Sequence, residues 1–211
     1  MWRLVFHWLF VKPVMLLIVG LNVRNPQRIP TQGPAIVVAN HNSHADTVAL
    51  TSLFPSRVLR KVRPVAAADY FLRTPALSWV SRNCMGILPL DRDGIRCGAD
   101  PLRDCVAALD RGEILILFPE GSRGEAEQRQ RFKKGIFHLA RRRPEVPIVP
   151  IYLHGLGKVL PKGAFVPVPL FCDAFVGEAI TERPDDAGEF VESLEAAMTA
   201  LVEGTRFPEW A

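Results

Sequence analysis

Several features that mark common protein classes are missing or scarce in this sequence of 211 residues. No internal repeat, long low-complexity tract or nucleic-acid-binding motif is visible. Cysteine is scarce and shows no CxxC spacing, which argues against a zinc knuckle or a disulfide framework and indicates a reducing compartment; the four cysteines are Cys84, Cys97, Cys105 and Cys172.

The chain also lacks a large excess of charge of one sign. Lysine and arginine number 26 against 22 acidic residues, a net charge of +4. This small excess fits an anionic membrane surface or acidic substrates better than nucleic acid, so no nucleic-acid partner is expected. With 48% hydrophobic residues, the chain is long enough for one full-sized core, and we expect one catalytic domain.

The amino terminus is the most unusual part of the composition, because residues 4–23 are almost entirely apolar. Such a run would just span a bilayer, but Lys12 would then lie near the midplane at a cost of roughly 2.5–3.5 kcal/mol. We therefore expect two short helices in the bilayer interface, broken at Pro13, with four cations toward the headgroups: Arg3, Lys12, Arg24 and Arg28. A spanning segment and a buried pair of core helices are the alternatives.

This interpretation divides the chain into a membrane-associating helical segment, residues 1–28, and a catalytic domain, residues 29–211. A cleaved signal peptide is not indicated, because no small-residue cleavage site precedes Arg24. Together with the reducing compartment, this predicts a protein that associates with the cytoplasmic face of a membrane.

Apolar runs alternate with helical patterns along the rest of the chain. Strands are predicted at 35–39, 62–67, 86–90, 114–118, 146–153 and 171–177. Helices are predicted at 43–54, 76–84, 101–112, 132–143 and 187–203. The alternation indicates an α/β fold with a mixed, largely parallel sheet flanked by helices, whose site lies at the carboxyl ends of the strands.

The first polar cluster, 40–46, joins a predicted strand to a helix. His41 lies just outside the helix and Asp46 lies in its first turn, so the carboxylate can hold one imidazole nitrogen while the other takes a proton from a substrate hydroxyl. A plainer interpretation is a capping box between Ser43 and Asp46, with His41 as a turn residue. Metal binding by His41, His44 and Asp46 is a further alternative.

The second polar cluster is the sequence FPEGSRG at 118–124. Its glycines allow backbone N–H groups to approach an anion, and Arg123 can bind phosphate through two hydrogen bonds. A carboxylate is unexpected beside an anion, so we expect Glu120 to bind a hydroxyl or to order arginines. A surface turn with a solvated arginine is the alternative.

Taken together, the motifs resemble those of the glycerolipid acyltransferases, the superfamily of lysophosphatidic acid and glycerol-3-phosphate acyltransferases. Its HX4D motif, a histidine and an aspartate separated by four residues, is matched by Asn40, His41, Ser43 and Asp46. Three further blocks follow in the same order, at 86–92, 118–124 and 146–150. The blocks cover about half of the chain.

The resemblance implies that His41, oriented by Asp46, deprotonates the acceptor hydroxyl for attack on an acyl-CoA or acyl-carrier-protein thioester. No covalent acyl-enzyme, metal or cofactor is implied. The implied partners are a lysolipid acceptor, the thioester donor and the membrane surface, in phospholipid biosynthesis. The residues that the resemblance places at the acceptor are Arg92, Glu120, Gly121, Ser122 and Arg123.

Lysophosphatidic acid is the favoured acceptor, and another lysolipid or polar lipid is the alternative. Many lysophosphatidic acid acyltransferases carry a lysine between the first two blocks. This chain has the sequence AAADY at 66–70 there, and Asp69 would repel a phosphate dianion. The phosphate contact could come instead from Arg92, Arg123, Lys133 or Lys134.

Two other classes of function are alternatives to an acyltransferase. A lipid hydrolase that uses His41 and Asp46 would need a positioned water or a serine nucleophile, and the GxSxG motif is absent. A non-enzymatic membrane-binding module would account for the amino terminus but would not require His41 with Asp46.

Overall fold

The computed structural model describes residues 2–17, 19–43, 45–68, 74–91, 100–122, 124, 130–159 and 170–207. Within them, seven strands form one sheet in the order β1-β7-β6-β2-β5-β3-β4. The strands are β1 (Val19–Arg24), β2 (Ala35–Ala39), β3 (Val62–Ala67), β4 (Leu88–Leu90), β5 (Ile114–Leu117), β6 (Ile148–His154) and β7 (Leu170–Val176).

Strands β6, β2, β5, β3 and β4 are parallel to one another. Strands β7 and β1 are also mutually parallel, and β7 is antiparallel to β6. The expectation of a mixed, largely parallel sheet is therefore confirmed.

Helices cover both faces of this sheet. They are α1 (Trp2–Phe6), α2 (Lys12–Leu17), α3 (Ala45–Ser52), α4 (Ser56–Leu59), α5 (Pro75–Val80), α6 (Arg103–Asp110), α7 (Gly135–Arg142), α8 (Leu156–Val159) and α9 (Ala187–Ala200). Two π-helical turns, at His7–Val11 and Ser81–Met85, and a 3-10 turn at Pro26–Arg28 also occur.

Strand β2 separates two hydrophobic cores. Ala35, Val37 and Ala39 belong to the core that includes residues of α2 and α3, whereas Ile36 and Val38 belong to the core with α6, α7 and α9. All five side chains are buried, as expected for a central strand with both faces covered. Because β2 lies between the parallel strands β5 and β6, the loops after β2 and β5 leave the same edge of the sheet side by side.

Most predicted elements are confirmed with small changes at their ends. Strands β2 and β3 have the predicted bounds. Helix α6 begins at Arg103, because Asp100 accepts the N–H of Leu102 at 3.1 Å in the preceding turn. Helix α7 begins at Gly135, since the residues before it lie along the 118–124 turn, where Lys133 donates its N–H to the carbonyl of Pro119 at 2.9 Å.

The predicted break at Pro13 is wrong, because residues 2–17 form one continuous helical segment. Proline lacks the N–H that an α-helix would pair with the carbonyl of Leu9. The π-helical turn lies just before Pro13, and Lys12 donates its N–H to the carbonyl of His7 five residues back. The wider turn accommodates the proline without ending the helix.

The prediction that the whole amino-terminal run is helical is also wrong, since Val19–Arg24 forms β1 beside β7. The inner side of the preceding helical segment belongs to the core, with Val11 and Met15 buried and Val19 fully buried. The segment 1–28 thus supplies a strand to the sheet of the catalytic domain. Within the described residues, no helix is both long enough and apolar enough to cross a membrane.

Three of the four cations expected to face headgroups have protein partners. Arg28 donates to Glu178 at 2.6 Å, and Arg24 lies 3.7 Å from Asp173. The guanidinium of Arg3 turns inward and donates to three backbone carbonyls, those of Arg60, Val62 and Met85. Burial, together with the charge of Arg63, lowers the pKa of Arg3 to about 10. Lys12 is exposed.

Gly86 provides the space for the Arg3 guanidinium. Its φ is +71°, and a Cβ atom at this position would lie only 2.2 Å from Cζ of Arg3. Gly86 follows the Ser81–Met85 turn, where the N–H of Ile87 bonds to the carbonyl of Ser81 at 2.9 Å. The amino-terminal helix is therefore attached through Arg3 to the segment that leads into β4.

We expect Gly86→Ala to destabilise the fold more than Gly204→Ala. Gly204 has a similar φ of +75° but open space around its Cβ position, so its substitution adds only left-handed strain of about 1–2 kcal/mol. Gly86→Ala also displaces Arg3 from its carbonyls, which should remove roughly 1–3 kcal/mol more. Urea denaturation of both variants measures the difference in the free energy of unfolding.

A double variant tests the assigned cause. In an Arg3→Ala background, Gly86→Ala should be no more harmful than Gly204→Ala, because the clashing guanidinium is gone. Equal losses for the two glycine variants in the wild-type background would contradict this account.

Candidate active site

Asn40 fixes the start of the loop that carries His41. Its side-chain amide accepts the N–H of Leu153 at 2.7 Å and donates to the carbonyl of Leu153 at 2.8 Å. Asn40 is buried and stands directly after β2, while Leu153 belongs to β6. The amide thus continues the pairing of two strands, and the loop begins from a fixed point.

Asp46 gathers this loop around one carboxylate oxygen. Its Oδ2 accepts the N–H of Asn42 at 2.7 Å and that of Ser43 at 2.8 Å, and it lies 2.9 Å from Nδ1 of His41. Asp46 lies in the first turn of α3 and is fully buried. The predicted meeting of His41 and Asp46 is therefore present in the structure.

The capping and chemical interpretations of this motif are compatible. The Ser43 hydroxyl accepts the N–H of Ala45 at 3.1 Å, while the Asp46 carboxylate accepts the N–H of Ser43. Asp46 thus caps the start of α3 and contacts His41 with the same oxygen. His44, which the metal alternative requires, lies outside the described residues, and that alternative stays a prediction.

Two opposing effects act on the Asp46 carboxyl. Burial is the larger effect and raises its pKa above the ordinary value, although the hydrogen bonds from His41, Ser43 and Asn42 oppose the shift. Three N–H donors on one oxygen favour the ionised form, which can only accept hydrogen bonds. With Asp46 ionised, a proton on Nδ1 of His41 would point to the carboxylate and leave the lone pair on Nε2, the tautomer that a general base requires.

The imidazole of His41 packs against Phe118 and still reaches solvent. The two rings stack with centroids 4.1 Å apart and an interplanar angle of 22°. The His41 side chain is 19% exposed, against 1% for that of Asp46. One edge of the imidazole is thus held by a buried carboxylate, while a substrate hydroxyl can approach the ring from solvent.

The 118–124 turn holds the backbone of His41 from both sides. The Glu120 carboxylate accepts the N–H of His41 at 3.1 Å, and the N–H of Gly124 donates to the carbonyl of His41 at 3.0 Å. Glu120 is buried, and Gly121 closes the turn through its N–H to the carbonyl of Phe118 at 3.0 Å with a φ of +75°. The second polar cluster therefore positions the first.

Only some of the remaining predicted site residues belong to the described part of the chain. Ser122 is exposed at the outer side of the turn and donates its hydroxyl to Gln130 at 3.3 Å. The predicted contacts of Arg92, Arg123 and Asp69 lie outside the described residues. The expectation that Glu120 binds a hydroxyl or orders arginines stays a prediction, beside its observed bond to His41.

Three features of the site were not predicted from the sequence. These are the link from Asn40 to β6, the ring of Phe118 on His41 and the bond from Glu120 to the His41 backbone. Each joins residues far apart in the chain. The signal that could have suggested the last two is the position of both clusters directly after strands, since neighbouring parallel strands bring such residues together.

The chain is similar to several known proteins. Residues 20–154 match the Acyltransferase family. A chloroplastic 1-acyl-sn-glycerol-3-phosphate acyltransferase of Arabidopsis thaliana is 33% identical over 68% of this chain, and human 1-acyl-sn-glycerol-3-phosphate acyltransferase alpha is 28% identical over 64%. The alignments span only 38% and 46% of those two proteins.

A solved structure supports the fold. The crystal structure of the 1-acyl-sn-glycerophosphate (LPA) acyltransferase from Thermotoga maritima matches with a TM-score of 0.74, covering 94% of this chain and 78% of that one at 22% identity. The match to the family covers well over half of the chain, and the site contains the histidine and aspartate of the resemblance in contact. The chain therefore belongs to the Acyltransferase family.

Proposed function

We propose that this protein is a 1-acylglycerol-3-phosphate O-acyltransferase of phospholipid biosynthesis. It transfers a fatty acyl group from acyl-CoA or acyl-carrier protein to the free hydroxyl of lysophosphatidic acid. The observation that carries the proposal is the contact between Nδ1 of His41 and the buried Asp46 carboxylate, which leaves Nε2 as the basic nitrogen. The printed names of the relatives from Arabidopsis thaliana and human support the choice of acceptor.

In the proposed reaction, Nε2 of His41 takes the proton of the acceptor hydroxyl as its oxygen attacks the thioester carbonyl. A carbon–oxygen bond forms, and the tetrahedral intermediate collapses with cleavage of the carbon–sulfur bond. The thiolate leaves with the proton held by His41, giving an ester and a free thiol. Asp46 stabilises the imidazolium between these steps, as the carboxylate does in other histidine–aspartate pairs.

The acceptor is proposed to lie along the outer side of the 118–124 turn. Glu120 points inward to the His41 backbone, whereas Ser122 is exposed beside it. Gly121 and Ser122 are thus suited to contact the headgroup directly, and Glu120 to fix the distance between headgroup and base. Arg92 and Arg123 complete the proposed acceptor site, following the resemblance.

We also propose that the protein associates with the cytoplasmic face of a membrane through the outer side of its amino-terminal helical segment. This side exposes large apolar residues, and α5 adds two more to the same surface; they are Trp2, Val5, Trp8, Leu9, Phe10, Leu16, Leu17, Leu77 and Trp79. The rings of Trp2 and Trp79 lie 5.7 Å apart and join the two parts. Tryptophan and leucine on one side of a surface helix are typical of interfacial membrane binding.

We expect His41→Ala to lower kcat by about a hundredfold to ten-thousandfold, because the base acts in the transition state. Asp46→Asn should lower kcat less, since the imidazole remains but loses its ionised partner. Release of free thiol from acyl-CoA in the presence of lysophosphatidic acid measures both. Unchanged turnover by a folded His41→Ala protein would contradict the proposed mechanism.

We expect thiol release to require an acceptor with a free hydroxyl and a phosphomonoester. The purified protein is incubated with acyl-CoA and, separately, with lysophosphatidic acid, lysophosphatidylcholine, monoacylglycerol or no acceptor, and the products are identified by mass spectrometry. Phosphatidic acid should be the main product. Activity restricted to acceptors without a phosphomonoester would leave only the broader acyltransferase assignment, and thiol release without any acceptor would favour a hydrolase.

We expect the triple variant Trp8→Ser, Leu9→Ser, Phe10→Ser to lose most co-sedimentation with anionic liposomes while keeping its melting temperature. These three side chains are 57–65% exposed, so their loss removes lipid contacts and little core packing. Point substitutions are preferable to deleting residues 1–23, since that deletion removes the core residues Val11, Met15 and Val19. Equal liposome binding by the wild type and a folded triple variant would reject this surface.

A further inference from the structure

Lys133 lies against the glycine of the active-site turn. A Cβ atom at Gly121 would lie 2.8 Å from Nζ of Lys133 and 3.0–3.1 Å from its Cδ and Cε atoms. The lysine side chain therefore runs across the open face of Gly121. This position is next to Glu120, whose carboxylate bonds to the His41 backbone.

The backbone around Lys133 is fixed to the same turn. The N–H of Lys133 donates to the carbonyl of Pro119 at 2.9 Å, and the preceding residue, Phe132, donates its N–H to Glu195 of α9 at 2.7 Å. Phe132 itself is buried in the core. The fold therefore places the backbone of Lys133 beside the turn.

Among the described residues, no acidic side chain neutralises the charge of Lys133, which is therefore available to a ligand. Lys133 is exposed, and no carboxylate of the described residues lies within salt-bridge distance of its Nζ. Glu120 has its carboxylate directed to the N–H of His41. A dianion beside Gly121 would therefore lie close to the ammonium group of Lys133.

Lys134, the neighbouring lysine, has a different environment. The pKa of Asp186, at the start of α9, is lowered by the N–H groups of Glu189 and Gly188 and also by the charge of Lys134. Lys134 therefore acts on an acidic side chain of the protein. Lys134 is not among the atoms nearest the Cβ position of Gly121. The structure thus distinguishes Lys133 from Lys134, which the sequence alone offered as equal candidates for the phosphate contact.

We propose that Lys133 binds the phosphate of the acceptor lipid across Gly121 and holds its free hydroxyl in reach of His41. This inference rests on the proposed function and names the residue that supplies the phosphate contact, since the AAADY segment at 66–70, between the first two blocks, lacks a lysine. Lys133 binds the substrate and takes no part in proton transfer. The thioester donor also carries phosphates, and the experiment distinguishes the two sources.

The test compares the full-length wild type with Lys133→Ala, Lys133→Arg and Lys134→Ala. Steady-state kinetics are measured with lysophosphatidic acid varied at saturating acyl-CoA, and then with acyl-CoA varied at saturating lysophosphatidic acid. We expect Lys133→Ala to raise the KM for lysophosphatidic acid about tenfold and to change kcat and the KM for acyl-CoA less than about twofold. Lys133→Arg should recover most of the affinity, and Lys134→Ala should have a much smaller effect.

Ionic strength provides a readout that a purely structural role would not change. The difference in KM between the wild type and Lys133→Ala should shrink as salt is raised from about 0.05 to 1 M, because the charge of the exposed ammonium is screened. A difference that stays constant across this range would contradict an electrostatic contact.

The remaining outcomes separate this inference from the proposed function. Wild-type activity on lysophosphatidic acid with no change in its KM in Lys133→Ala would overturn the role of Lys133 alone. A rise in the KM for acyl-CoA instead would assign the lysine to the donor and also overturn it. Wild-type activity confined to acceptors without a phosphomonoester would reject both the acceptor and its phosphate contact.

Discussion

The site depends on one buried oxygen, Oδ2 of Asp46, which receives the backbone N–H groups of Asn42 and Ser43 and contacts Nδ1 of His41. The same oxygen therefore shapes the loop, begins α3 and orients the imidazole. Burial raises the pKa of this carboxyl, and the N–H donors that converge on Oδ2 oppose the rise by stabilising the ionised form. The spacing of four residues between histidine and aspartate brings all of these groups to one atom.

The sheet brings the second half of the site to this loop. Strand β2 lies between β5 and β6, and each neighbour contributes a fixed contact: Leu153 to the side chain of Asn40, and Glu120 to the backbone of His41. The FPEGSRG motif thus acts partly as a support for the histidine, in addition to the headgroup role that we propose for its outer side. A buried glutamate in a motif that we propose to bind an anion is understandable on this basis, because its carboxylate accepts a backbone N–H.

The sequence allowed prediction of several elements whose cause is local. The β-branched runs gave β2 and β3 their correct bounds, and the spacing of His41 and Asp46 predicted their contact. The amino terminus was not predicted in the same way, because the alternation of Val19, Leu21 and Val23 directly follows the apolar run of the helical segment. The inward turn of Arg3 and the placement of Lys133 on Gly121 depend on backbone brought from distant parts of the chain, which no local pattern encodes.

The attachment of the amino-terminal helix by Arg3 has a consequence for how the enzyme would meet its substrates. Arg3 attaches this helix to the segment before β4, so the membrane docking that we propose for its apolar side would also fix the distance and tilt of the catalytic edge relative to the lipids. Encounters with a lipid acceptor would then occur in two dimensions. The quantity that governs the rate would be the mole fraction of acceptor in the membrane, and dilution of the bilayer with inert lipid would slow the reaction even at constant bulk concentration.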